Sequence, residues 1–159
     1  MAVPIPLIVS ALQLLAIMLI SLILGTVFGI WRGFNPAGYS ASTFIEMHQG
    51  AVRGLNVLLP AMGLVTLLLT AGLAALSRNR PGVLLLYGAA LVAIAIAGAV
   101  TRFGNQPINE QIMGWTITTL PADWAAIRDK WLDLNLVRVA SSFVGEALLI
   151  AAIFADRSA

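Results

Sequence analysis

Residues 124–155 read WAAIRDKWLDLNLVRVASSFVGEALLIAAIFA. Just ahead of them, Pro121 sits where a helix can begin, because its missing N–H falls among the donors that a helix N-terminus leaves free. Asp123 suits the positive end of the helix dipole. Trp124, Arg128, Trp131, Asn135, Arg138, Ser142 and Glu146 recur in steps of four and three. On an α-helix that spacing confines all seven to an arc of about 80°. Asp129, Lys130 and Asp133 fall on the opposite side. From Val139 onward the sequence is apolar enough for a bilayer interior, so the polar stripe has to face protein, a water pocket or a ligand rather than lipid. A helix over 122–155 is roughly 50 Å long against a hydrocarbon layer about 30 Å thick, so its first turns project beyond the bilayer or the helix tilts strongly.

The rest of the chain agrees with a membrane setting. Of 159 residues 60% are hydrophobic and only 10% charged, and the mean hydropathy is +0.95. This composition describes an integral membrane protein, and the length suits one domain over 1–159. Nine Lys and Arg stand against seven acids, for a formal net charge of +2, with no basic run that would point to nucleic acid. The absence of Cys excludes a disulfide framework, a thiolate metal site and a thiol nucleophile. His48 is the sole histidine, so bis-His ligation is excluded too. A metal would need carboxylates such as Glu46 and Glu146, which fall at different depths along their helices; no metal site is expected. Residues 5–30 are too long and lack the basic start of a cleavable leader.

Four spans emerge, at 5–30, 44–76, 82–103 and 122–155. The short turn SRNRPG at 77–82 joins the second to the third as a hairpin. The expected fold is all-α: a four-helix transmembrane bundle with antiparallel up-down topology. Arg78 and Arg80 in that turn, with Arg157, place the N- and C-termini on the cytoplasmic side of a multi-pass cell-membrane protein. Pro60 removes a backbone donor and predicts a kink near Asn56. Ser21, Gly25, Gly29 and Gly33 form a small-residue seam on the first span. It is expected to pack within the bundle, with Ala89, Ala93, Ala97 and Thr101 as its partner, or else to form a homodimer face.

This topology gathers the polar residues at one end: Trp31, Arg32, Glu46, His48, Gln49, Arg53, Asn56, Arg102, Asn105, Asn109, Arg128, Trp131, Asn135 and Arg138. By helical rise Asn56, Arg102 and Asn135 share one layer near the hydrocarbon edge, with Arg138 and Glu146 deeper. The ordinary imidazole pKa suits His48 to general-base work, with Glu46 as the competing base; either can equally be structural. Arg138 and Arg128 can hold an anion or a developing oxyanion, or form ion pairs with Glu46, Glu110 or Glu146. Asn135 can orient a carbonyl or phenol, or make an interhelical hydrogen bond. Trp131 and Trp124 can wall an aromatic pocket or sit in the interfacial belt.

The run GNQPINEQI, followed by Trp124, Arg128, Trp131, Asn135 and Arg138, resembles the anthrone oxygenase-like family of small four-helix membrane proteins, many of them known only as a domain of unknown function. The likeness covers the whole chain in helix count and loop order. It is specific over 105–138, at Asn105, Pro107, Asn109, Trp131, Asn135 and Arg138. The stretch Met47-His48-Gln49 is similar to a less distinctive second-helix motif, while Arg53 and Glu146 fall outside the pattern. The resemblance implies a cofactor-independent oxygenase that acts with dioxygen on an apolar aromatic of the anthrone type. In that reading His48 or Glu46 is the base, Asn109, Asn135 and Arg138 hold the phenolate, and Trp131 stacks on the rings. Arg128, Asn105 and Asn56 complete the substrate-binding set. The competing expectation is a non-enzymatic membrane subunit that joins a larger complex or a homo-oligomer, or binds a lipid or quinone.

Overall fold

The computed structural model describes residues 5–158, so the extreme ends of the expected 1–159 domain, residues 1–4 and 159, lie outside the described residues. Apolar sequence without a break gives α1, Ile5–Gly29. It leaves through a π turn, Ile30–Phe34, closed by the Asn35 N–H on the Ile30 carbonyl at 3.0 Å. Asn35 takes φ 36°, a left-handed conformation that asparagine tolerates better than most residues. Pro36 then opens a short 3-10 turn, Pro36–Gly38. Ser40 caps α2, Ala41–Leu55, by accepting the Thr43 N–H at 3.4 Å.

The predicted second span is not one helix. It divides into α2 and α3, Leu58–Leu76, at residues 56–57, and only α3 is apolar enough to cross a membrane. The cause is Pro60, which has no N–H for the Asn56 carbonyl four residues back. That carbonyl instead accepts from Gln106 Nε2 at 3.3 Å. The kink expected near Asn56 is therefore a full break, and it releases α2 to lie over the bundle end.

The predicted third span is longer than expected. α4, Pro81–Val100, runs into a second π turn, Thr101–Asn105, and continues as α5, Gln106–Met113. Pro107 again supplies no N–H, and the hydrogen-bond ladder widens in front of it. The final helix, α6, is Trp124–Ser158. Four stretches are long and apolar enough to cross a membrane: Pro6–Gly38, Leu58–Leu76, Pro81–Met113 and Trp124–Arg157. Large apolar residues on all four face outward, Leu14, Leu68, Leu85 and Phe143 among them, as a lipid-facing surface requires.

α4 and α6 share the most extensive interface, α1 packs against α3 and α6, and α3 packs against α1 and α4. In lipid, close packing and interhelical hydrogen bonds carry helix association, since lipid tails are as apolar as the side chains. Ala16, Ile20, Leu73, Tyr87, Ala90, Ile94 and Leu149 fill the membrane core. Gly145 is the most crowded of the glycines: a Cβ there would lie 2.8 Å from Ile94 Cγ1 and 3.5 Å from Ile20 Cδ1, so α1, α4 and α6 converge on it. The predicted seam behaves otherwise. A Cβ at Gly25, Gly29 or Gly33 would meet no atom within 4 Å, so those glycines are not a close-packed interface within the bundle.

Polar clasps fasten the two ends. Arg80 Nη2 pairs with Asp156 Oδ1 at 2.6 Å, and Gln13 Nε2 donates to Asp156 Oδ2 at 2.9 Å and to the buried Tyr87 hydroxyl at 3.2 Å. This ties α1, α4 and the 77–80 turn to the end of α6. Midway along, Ser21 Oγ donates to Glu146, which gives that acid a partner on α1. At the opposite end Phe44, Ile45, Ile108, Ile112, Trp115 and Trp131 form a second apolar cluster under α2. Gln49 Nε2 staples α2 to it, donating to the Ile112 and Trp115 carbonyls at 3.0 Å each.

Candidate functional site

The divided second span leaves α2 packed chiefly on α5, with a space beneath it. A cavity of about 540 Å³ lies there, walled by α1, α2, the start of α3, the π turn after α4, α5 and α6. Its exposed lining residues are Gly25, Phe34, Glu46, Met47, Gly50 and Ala51. All six belong to α1, its π turn or α2, so the mouth opens between α1 and α2. Gly25 and Gly29 of the predicted seam thus line this mouth.

The inner wall is a hydrogen-bonded group contributed by α2, α5 and α6. Trp131 Nε1 donates to Asn109 Oδ1 at 2.7 Å, and His48 Nε2 lies 3.2 Å from the same oxygen. Asn109 Nδ2 donates to Asn56 Oδ1 at 2.8 Å. The indole is a donor only, so the atom facing it must be the amide oxygen. The nitrogen of His48 that faces this oxygen must therefore carry the proton. In the neutral ring the lone pair then sits on Nδ1, which has no hydrogen-bond partner among the described residues. The ring is held edge-on to Trp131 with centroids 4.8 Å apart and lies 5.2 Å from Phe44. Burial lowers the His48 pKa from the ordinary 6.5 to about 4, against the opposing pull of the Asn109 hydrogen bond. At neutral pH the imidazole is uncharged.

Arg138 reaches the same cavity from α6. It is 8% exposed and makes no hydrogen bond or ion pair to any described residue. A buried guanidinium without a counter-charge in a membrane helix is costly, and such residues mark places where an anionic or strongly polar group is accommodated. It lies on the inward side of the α6 stripe, of which Trp131, Asn135, Arg138 and Ser142 are buried while Asp129, Lys130 and Asp133 are exposed.

Six of the nine residues singled out from sequence line this cavity: Glu46, His48, Asn56, Asn109, Trp131 and Arg138. Glu46 stands exposed at the mouth, whereas His48 is buried at the inner wall. The other three point elsewhere. Asn135 is fully buried, but its amide donates to the Val27 carbonyl at 3.1 Å, so it joins α6 to α1. Asn105 donates to the Trp131 carbonyl at 3.1 Å and braces the backbone behind the indole. Arg128 is taken by its neighbour Asp129, with Nη2 2.8 Å from Oδ1, and lies over the Trp124 ring at 5.0 Å. Trp124 in turn lies 5.9 Å from Phe44 and packs against the apolar cluster under α2. Of the three residues expected in one layer, Gln106 links two, accepting from Arg102 Nη1 at 3.1 Å and donating to the Asn56 carbonyl at 3.3 Å, while Asn135 bonds to α1.

Phe44 and Thr26, which the sequence does not single out, also line the cavity, as do Gly25, Gly29 and Thr101, which the sequence suggests only as packing residues. Phe44 was within reach, since Phe44, Ile45 and His48 are the buried face of an amphipathic α2. Among the described residues no group of three or more His, Cys, Asp or Glu is placed to hold a metal ion.

A family model described as anthrone oxygenase matches residues 49–148, more than half of the chain. No curated protein and no solved structure matches it.

Proposed function

Because the chain belongs to the anthrone oxygenase family, we propose that it is a membrane-embedded, cofactor-independent oxygenase that oxidises an apolar anthrone-type aromatic with dioxygen. The observation that carries this reading is the pairing, on one apolar cavity, of a neutral imidazole with a free Nδ1 and an uncompensated guanidinium. The 540 Å³ volume lies within the roughly 300–1,000 Å³ typical of small-molecule pockets.

In this reading His48 Nδ1 removes a proton from the reactive methylene carbon of the substrate. The electron pair delocalises onto the ring oxygen, where Arg138 offsets the negative charge in a water-poor site. The carbanion gives its electrons to dioxygen and forms a carbon–oxygen bond, and the resulting peroxide takes up a proton. The hydroperoxide loses water, which breaks the O–O bond and the remaining C–H bond and leaves the carbonyl of the quinone. One substrate and one dioxygen yield one quinone and one water, so no other reductant is needed. Trp131 and Phe44 wall the flat rings, and Asn109 holds both Trp131 and His48 in register. Glu46, at the mouth, is the competing base.

The up-down antiparallel arrangement is part of the proposal. The short 77–80 turn between packed α3 and α4 supports it, as does the packing of each span on its neighbours in the chain. Arg78, Arg80 and Arg157 support cytoplasmic termini.

The test is turnover. Purified protein in detergent, given an anthrone in air, should produce quinone absorbance together with stoichiometric oxygen uptake. His48→Gln should abolish it, and Glu46→Gln should not. Absence of turnover on every anthrone offered, by protein that is folded and monodisperse, would overturn the reading.

A further inference from the structure

A second, smaller cavity of about 190 Å³ lies inside the bundle. Its walls are mostly aliphatic, from Ile20 and Ile23 of α1, Leu64 and Leu67 of α3, and Ile94 and Ala97 of α4. Leu59, Pro60, Thr101 and Arg138 line both this cavity and the larger one, so the two meet at Arg138. We infer that the smaller cavity is a chamber for dioxygen, which reaches the reaction site past Arg138 from the side opposite the aromatic substrate. This inference rests on the oxygenase reading above.

Three observations favour that occupant. The first is size: the volume falls below the range of about 300–1,000 Å³ that holds drug-sized molecules. Apolar cavities of this order stay dry and take up small apolar guests such as xenon. The second is dryness. Most of the polar groups on the wall are already engaged. Thr66 and Thr101 return their hydroxyls to the Met62 and Ala97 carbonyls at 2.8 Å, and Arg102 Nη1 donates to Gln106 at 3.1 Å. Arg138, which also lines the larger cavity, and the buried Ser142, one turn further along α6 and on this cavity alone, make no hydrogen bond to a described residue. The third is access. The exposed lining residues are Leu64 of α3, Gly98 of α4 and Arg102 in the π turn after it, so the chamber opens between two membrane-spanning stretches. The chamber therefore reaches the hydrocarbon, a better solvent than water for an apolar diatomic gas.

The glycines provide a way to fill the chamber without breaking the bundle. Gly98 lines it, and a Cβ at Gly98 would meet no atom within 4 Å. Gly63 has the same property and serves as a second filling position.

The experiment uses the full chain in nanodiscs with isotope-labelled isoleucine methyls, under dioxygen and then under argon at equal pressure. Dioxygen is paramagnetic, so it should broaden the Ile94 methyl well beyond that of Ile112, which is at least as buried but lies in the apolar cluster under α2, away from the chamber. Gly98→Leu or Gly63→Leu should remove the excess. In turnover, Gly98→Leu should raise the KM for dioxygen about tenfold and leave the KM for the aromatic substrate unchanged. Equal broadening at Ile94 and Ile112 overturns the inference, as does a lipid acyl chain found in cross-peaks to Ile94. An unchanged dioxygen KM in a filled variant also overturns it. If no anthrone is turned over, the oxygenase reading fails by itself, while the methyl broadening still decides whether the chamber takes up dioxygen.

Discussion

Trp131 Nε1 donates to Asn109 Oδ1 across 2.7 Å, and this bond decides which nitrogen of His48 carries the proton. One donor-only indole orients the amide, and the oriented amide leaves Nδ1 of the imidazole as the lone-pair atom. Asn109→Asp puts a carboxylate against the ring and should raise the His48 pKa from about 4 towards or above its ordinary 6.5. Asn109→Leu should orphan both donors and destabilise the protein by about 1–3 kcal/mol. Nitrogen chemical shifts of His48 across a pH titration read the tautomer and the pKa, and thermal unfolding reads the stability.

The same depressed pKa sets a pH dependence. Between about pH 6.5 and 4 the unfolded chain binds a proton at His48 that the folded chain refuses. Stability is therefore full above that window, falls as pH drops through it, and levels off below about 4. The loss attributable to His48 is on the order of 3 kcal/mol. His48→Gln should flatten that part of the profile when thermal unfolding in detergent is followed from pH 7 to 4.

Arg138 should separate stability from function. No described residue offsets its charge, so Arg138→Met removes a desolvated cation and keeps much of the volume. We expect Tm to stay level or rise, because replacing an uncompensated buried charge with an apolar residue is often neutral or stabilising. Turnover should fall by about a hundredfold or more. A large drop in Tm would show that the guanidinium has a structural counter-charge. Asn135→Ala is the opposite case: a lower Tm through loss of the bond to the Val27 carbonyl, with an unchanged substrate KM in the surviving folded protein.

Gly145 and Gly25 make a matched pair. Gly145→Ala sets a methyl 2.8 Å from Ile94 Cγ1 and should cost about 1–3 kcal/mol. Ile94→Ala in the same chain should return part of that loss, a coupling that a double-mutant cycle of unfolding free energies measures. Gly25→Ala meets no atom within 4 Å and should leave Tm unchanged.

The polar stripe on α6 was readable because helical periodicity needs only residue types in order, and an apolar helix has no cheap outward place for Trp131, Asn135 or Arg138. The break between α2 and α3 was half readable: Pro60 showed that a hydrogen bond was missing, but the Gln106 side chain that takes up the orphaned carbonyl comes from fifty residues away. The two π turns left no periodic trace, although Ile30 in one and Thr101 in the other line the larger cavity. Asn135 and Arg138 looked alike as inward polar groups. What separates them is the Val27 carbonyl, whose position depends on how α1 packs on α6. The seam Ser21 to Gly33 was read as packing because small residues allow close approach. At Gly25 and Gly29 the same smallness keeps an opening clear, and local sequence does not distinguish a filled groove from an empty one.

The mouth between α1 and α2, lined by Gly25 and Gly29 within an apolar span, changes what concentration means for this protein. On the proposed oxygenase reading, a flat apolar substrate that enters such a mouth from the bilayer would arrive by diffusion in two dimensions, from molecules already partitioned into the lipid. Saturation is then governed by substrate per lipid, not by substrate per litre. Adding empty vesicles to a fixed amount of substrate would slow the reaction by dilution within the surface, even though the solution as a whole is unchanged.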